Sequence, residues 1–263
     1  MRGQLERCKK KGAVGIGATR SRVSENPTSP YALRPRARGH GRNREPKRAG
    51  GALAKAVKAN PTDTASQLEL GSMQLEAGKQ EEAASTYRQL LKTDPKNLVA
   101  TENLIRIELA RKEVATVIAL AEQAKTHHPE NPLGYYTLGR VHQIQQNYAQ
   151  SERDFEKAHS LAPQSTDVLT ALVSNDLQTE QFAKARKRIS TAIEKGTNKA
   201  AAYVLLGDIE TNAKRESEAE TAYLMAINAE PKTGSAYFKL GALYLNQNQL
   251  DKAIRNYQSA LTH

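Results

Sequence analysis

Cysteine is nearly absent, with Cys8 alone among 263 residues. That count excludes a disulfide framework and a cysteine zinc site. There is no Trp and only three Phe, whereas Ala, Leu, Gln, Glu and Lys abound, a composition that reads as helical. No apolar run approaches the roughly 18–20 residues of a membrane helix. Gly12 to Ala18 follows a basic start as a signal core would, but it is too short and too rich in Gly. A phosphate loop is missing, and Gly12, Gly15 and Gly17 follow no strand-like run, so they form no dinucleotide fingerprint. The six histidines lack the i, i+4 spacing of a helical metal site. His127 and His128 precede Pro129 and read as solvated turn residues, and Glu81-Glu82 as a solvated helix face. No enzyme, metal or cofactor is expected from these residues.

The excess of positive charge is confined to one end. The formal net charge is +11, and residues 1–48 carry 14 Lys and Arg against Glu6, Glu25 and Glu45. The remainder balances, so the basic pI describes a tail and does not mark the rest as a nucleic-acid binder. Low hydrophobicity and high charge predict disorder over 1–50. Three readings of that tail stay open: a basic arm for RNA, DNA or acidic lipid, an organelle-targeting leader, or a leader with no selected role. The run KARKR at 184–188 mimics a nuclear-import signal, but in the register of the repeat described below Ala185 is the buried contact and Lys184, Arg186, Lys187 and Arg188 cover the convex side.

What the sequence does have is a period of 34. Pro61, Pro95, Pro129 and Pro163 keep that interval, and Pro231 lies two beats further on. Leu70-Gly71, Leu138-Gly139, Leu206-Gly207 and Leu240-Gly241 share it, with Leu104-Ile105 and Leu172-Val173 on the missing beats. Tyr87, Phe155, Tyr223 and Tyr257 form a third series, Ala83, Ala185, Ala219 and Ala253 a fourth, and Ala124, Ala158, Ala192, Ala226 and Ala260 a fifth. Each has a physical reason. In the antiparallel helix pairs that the resemblance named next implies, small residues sit where the two helices cross closely, and the aromatic fills the space beside them. The proline ends the second helix by forcing its predecessor out of the α region.

These series resemble the tetratricopeptide repeat (TPR), over six repeats: 64–97, 98–131, 132–165, 166–199, 200–233 and 234–263. The resemblance implies an all-α solenoid of helix-turn-helix repeats in a right-handed superhelix. Repeat two departs with Ile105, Val117 and Ala121, and repeat four with Val173, Ile189 and Thr197, where Gly196 can end the helix instead. These are volume-compensating swaps, and ordinary helices are expected there. Residues 51–63 read as a lone half-repeat helix, because 30–43 holds two prolines and two glycines and no periodic apolar face. The last helix, DKAIRNYQSALTH, runs to residue 263 with nothing to cover its outer face. A piece of a longer array, or a chain that docks or self-associates through its ends, is therefore expected.

By the same resemblance, the concave surface is lined by the first helix of each repeat. The lining positions give Leu68, Ser72, Leu75 and Glu76, then Glu102, Arg106 and Leu109, then Leu133, Tyr136, Arg140 and Gln143. Asp167, Thr170, Ser174 and Gln178 follow, with Val204, Asp208, Thr211 and Asn212, and finally Phe238, Leu245 and Asn246. Arg106 and Arg140 hold one position of neighbouring repeats, and two guanidinium forks suit a carboxylate or phosphate, with Tyr136 as a wall. Glu102 stands four residues before Arg106, so a simple helical ion pair is the alternative. The carboxylate-clamping chaperone adaptors use Lys, Asn and Arg where this chain has Leu68, Ser72, Leu133 and Thr137, and only Asn103 matches.

The resulting expectation is a non-catalytic scaffold holding an extended or helical segment of another protein. Its phrasing is similar to bacterial TPR proteins of exopolysaccharide and protein-sorting loci. The alternative is a nucleic-acid-associated protein using the tail as an electrostatic arm. The compartment stays open: cytoplasmic as written, periplasmic or membrane-associated if an export signal is missing.

Overall fold

The structure, a computed structural model, describes residues 46–263, and expectations for 1–45 lie outside the described residues. Thirteen helices and no strand occur among the described residues. None of these helices is long and apolar enough to cross a membrane. The described residues divide into two compact parts, 46–86 and Tyr87–His263.

In the first part, α1 (Pro46–Ala59) packs on α2 (Thr64–Glu76), and α3 (Gln80–Thr93) begins. Helix α1 starts five residues before the expected boundary at 51, since proline lacks the N–H that a first helical position leaves unpaired anyway. Leu53 and Leu70 form the small core, with Ala52, Val57 and Met73 against them. Gln67 is fully buried, and both of its amide atoms lack a hydrogen-bond partner among the described residues.

The second part continues with α4 (Leu98–Ala110), α5 (Val114–His127), α6 (Leu133–Ile144), α7 (Tyr148–Leu161) and α8 (Thr166–Gln178). It ends with α9 (Phe182–Glu194), α10 (Lys199–Asn212), α11 (Glu216–Ala229), α12 (Gly234–Asn246) and α13 (Leu250–Thr262). Consecutive helices pack in pairs, and the first helices α6, α8, α10 and α12 also touch in series. That second set of contacts makes the stack: each hairpin buries its apolar side on the next.

The 34-residue series are packing positions. A Cβ on Gly139 would sit 2.5 Å from the Phe155 ring, and one on Gly241 3.0 Å from Tyr257. One on Gly207 would run into the ring of Tyr223. Glycine is needed there because the opposing aromatic occupies the space of a side chain. Where glycine is replaced, the aromatic is replaced too: Val173 and Ile189 share one buried cluster, and Ile105 and Ala121 are both buried. Repeats two and four form ordinary helices, and Gly196, at φ +78°, ends α9 with Thr197 N donating to the Ala192 carbonyl at 3.0 Å.

Two further series escaped the sequence reading. Gly78, Lys112, Gln146, Glu180, Lys214 and Asn248 all have positive φ and turn the chain between the helices of each repeat. Four residues before each lies a polar side chain: Gln74, Glu108, His142, Asp176, Glu210 and Tyr244. Their backbone carbonyls accept the bond that closes the first helix, as in Arg215 N to Glu210 at 2.8 Å. Their side chains each find a polar partner on a second helix: Thr86 Oγ1 with Gln74 at 2.8 Å, His142 with Asp154 at 2.8 Å, and Tyr244 Oη with Glu220 at 2.6 Å. Arg88 pairs with Glu108. Arg186 binds Glu210 through two bonds of 2.6 and 2.9 Å.

The KARKR segment belongs to this network. Ala185 is fully buried, as expected, and its neighbours Lys184, Arg186 and Arg188 are engaged in ion pairs. Arg188, only 13% exposed, donates to Asp176 at 2.7 Å and Glu152 at 2.9 Å and also pairs with Glu156. Lys184 pairs with Glu152 and stands 3.6 Å from Asp176. His128 departs from a purely solvated turn residue, with Nε2 2.6 Å from the Lys96 carbonyl.

Candidate functional site

The groove-lining positions begin in the first part, where Leu68 is half-buried and Ser72 exposed. In the second part, α8, α10 and α12 run side by side, and a cavity of about 440 Å³ opens along them. Its wall includes Thr170, Ser174 and Gln178 from α8, Asp208, Thr211 and Asn212 from α10, and Asn246 from α12. Apolar patches between them come from Val173, Leu177, Leu205 and Leu243. The trough is therefore of mixed character, with apolar patches set among fixed polar side chains.

The polar floor is held from below. Asp208 accepts the Tyr223 hydroxyl at 2.8 Å, and Lys239 Nζ lies 3.0 Å from the same carboxylate. Thr211 Oγ1 stands 3.2 Å from the Tyr223 hydroxyl. Burial pushes the Tyr223 phenol well above its ordinary range, with the Asp208 charge and hydrogen bond adding to it and the Thr211 bond opposing. The phenol therefore stays protonated as a donor, and the carboxylate is fixed in place by two partners. Asn212 turns its amide nitrogen back to the Asp208 carbonyl at 2.8 Å.

The expected lining residues do not all meet here. Ser174 and Asp208 line the cavity, and Gln143 reaches its edge, with Nε2 3.4 Å from Ser174 Oγ. Glu102, Arg106, Tyr136, Arg140 and Phe238 are outside its wall. Arg106 is exposed and bonds Asn103, three residues back on its own helix. Arg140 is exposed and donates to the Tyr136 hydroxyl at 3.3 Å. The Tyr136 ring is half spent on packing, 5.9 Å from Phe155 between centroids. Phe238 is 56% exposed, and its ring lies 5.5 Å from that of Tyr257.

Lys239 and Tyr223 are the residues that reading missed. Neither occupies a lining position of the family pattern. Tyr223 belongs to the aromatic packing series, yet its hydroxyl passes through to the groove floor. The opposite charges of Asp208 and Lys239, one repeat apart, were the available signal.

Comparisons with known proteins agree with this architecture. The chain resembles a tetratricopeptide repeat protein from Parabacteroides merdae at 18% identity and TM-score 0.71, over 89% of this chain and 92% of that one. It resembles Pseudomonas aeruginosa pilF at 18% identity and TM-score 0.58, over 79% and 94%. It resembles yeast Tom70 at 19% identity and TM-score 0.62, over 88% of this chain and 49% of that one. No curated protein matches the sequence. Family models described as tetratricopeptide repeat match residues 35–98, 132–165, 170–233 and 234–262. The first match reaches into 35–43, where a paired helix was not expected and which lies outside the described residues. With the helical hairpins packed in series and four stretches of its length matched, the chain belongs to the tetratricopeptide repeat family.

Proposed function

We propose that the protein is a non-catalytic scaffold that holds an extended segment of another protein in the trough along α8, α10 and α12. The observation that carries this reading is the 440 Å³ cavity lined by the residues of three successive first helices. Its apolar patches accept side chains. Gln178, Asn212 and Asn246, each at the last turn of its helix, supply carboxamides that can both donate to and accept from a peptide backbone. Asp208 is neutralised by Lys239, so the floor favours polar or amphipathic guests over strongly charged ones.

A random peptide library selected on the full chain tests this. Gln178→Ala/Asn212→Ala/Asn246→Ala removes three exposed side chains and should leave thermal unfolding unchanged. Selected peptides should bind this variant at least ten-fold more weakly, and equal binding contradicts the proposal. Arg106→Ala/Arg140→Ala, measured beside it, decides whether the two arginines extend the site: unchanged affinity removes them.

A further inference from the structure

A second cavity, of about 320 Å³, opens on the side of α8 that faces α7 and α9. Its floor is apolar, formed by Leu169, Leu172, Pro163 and Ala192. Charged groups surround it: Glu156 and His159 from α7, Lys184, Lys187 and Arg188 along α9, and Lys195 capping its C-terminal end. Lys184 and Arg188 are engaged with Glu152, Glu156 and Asp176. Lys187 and Lys195 differ, since no acid lies within ion-pair distance of either among the described residues. His159 Nδ1 is buried and has no hydrogen-bond partner among the described residues. Burial lowers the His159 pKa, Glu156 opposes, and Arg188 and Lys195 add to the lowering. The ring is therefore a neutral wall with an unused polar atom.

The spacing selects a guest. Lys187, Thr191 and Lys195 form one stripe of the helix, and eight residues separate the lysines by about 12 Å. In an extended peptide, residues i, i+2 and i+4 share a face, and i to i+4 spans about 13 Å. We propose that this cavity is a second binding site, for an extended acidic peptide segment of the form acid–x–apolar–x–acid. Its two carboxylates meet Lys187 and Lys195, and its central apolar side chain enters the pocket over Leu169 and Leu172. Charge complementarity decides for an acidic segment: the two lysines lack anions, and the other charges of the rim are already paired.

The test uses the full chain and a fluorescein-labelled, acetylated peptide Gly-Glu-Ala-Leu-Ala-Glu-Gly, read by anisotropy. Saturable binding is expected, weakened at least ten-fold by Lys187→Ala/Lys195→Ala and also by exchanging the peptide's Leu for Ser. Both lysines are exposed, and an unchanged melting profile of the double variant establishes that it is folded. No binding at millimolar peptide, equal binding by the double variant, or equal binding of the Ser peptide would each overturn the proposal. The groove variant Gln178→Ala/Asn212→Ala/Asn246→Ala should bind this peptide as the parent does, and a parallel loss would reassign it to the first groove.

Discussion

Gly207 and Gln67 show how single residues set the fold. Alanine at 207 would push its methyl group into the Tyr223 ring, and overpacking of this kind costs typically 1–3 kcal/mol. Gly207→Ala should lower the denaturation midpoint accordingly, and an unchanged midpoint would show that the ring moves freely. Gln67 errs in the opposite direction. Its buried amide has no partner among the described residues, and an unsatisfied buried polar group costs about 1–3 kcal/mol. Gln67→Leu should therefore stabilise the protein in a urea titration, and a loss of stability would mean that the amide is bonded. The glycine was legible in the sequence because its partner, Tyr223, recurs at the same interval. The glutamine was not, because a single polar residue on a helix gives no sign of which way it faces.

At the scale of the element, the turn inside each repeat needs a left-handed residue, and the chain supplies Lys112, Gln146, Glu180 and Lys214 as well as Gly78 and Asn248. A side chain in that region costs about 1–2 kcal/mol, part of which glycine gives back through its freer unfolded chain. Lys214→Gly should raise stability by about 0.5–1 kcal/mol, measured as a shift of the urea midpoint, and a decrease would count against the strain. Tyrosines report on the helix-to-helix bonds. Burial and the Glu220 bond and charge push the Tyr244 hydroxyl up to about 12, and Tyr223 is raised as well. A raised folded pKa means that this stabilisation is complete below the ordinary value near 10 and is lost as pH rises through about 12. Absorbance titration should show a late tyrosinate phase that Tyr223→Phe/Tyr244→Phe abolishes, whereas a titration confined to the ordinary range contradicts these bonds. Helix number, phase and the glycine–aromatic crossings could be read from spacing, since each obeys a rigid 34-residue rule. The polar series from Gln74 to Tyr244 could not, because five different residue types share one structural duty and only their partners reveal it.

For the whole molecule, charge divides along the chain. The basic excess lies in the first 48 residues, and the rest is balanced, with many of its charges paired internally, as in the Arg188 network. Removing residues 1–45 should bring elution from heparin to lower salt, and unchanged elution would place a cationic surface on the remaining helices. Ser174 and Asp208, named from family position, line the cavity, whereas Arg106 and Arg140 stand outside its wall and bond within their own helices. Sequence position gives the face of a helix and leaves open which neighbouring side chains reach the same point.

Hydrogen exchange of the full chain with and without a library-selected peptide locates the bound segment. Protection should concentrate on the last turns of α8, α10 and α12, around Gln178, Asn212 and Asn246, and protection confined to other helices would contradict the groove as the place where this protein holds its partner.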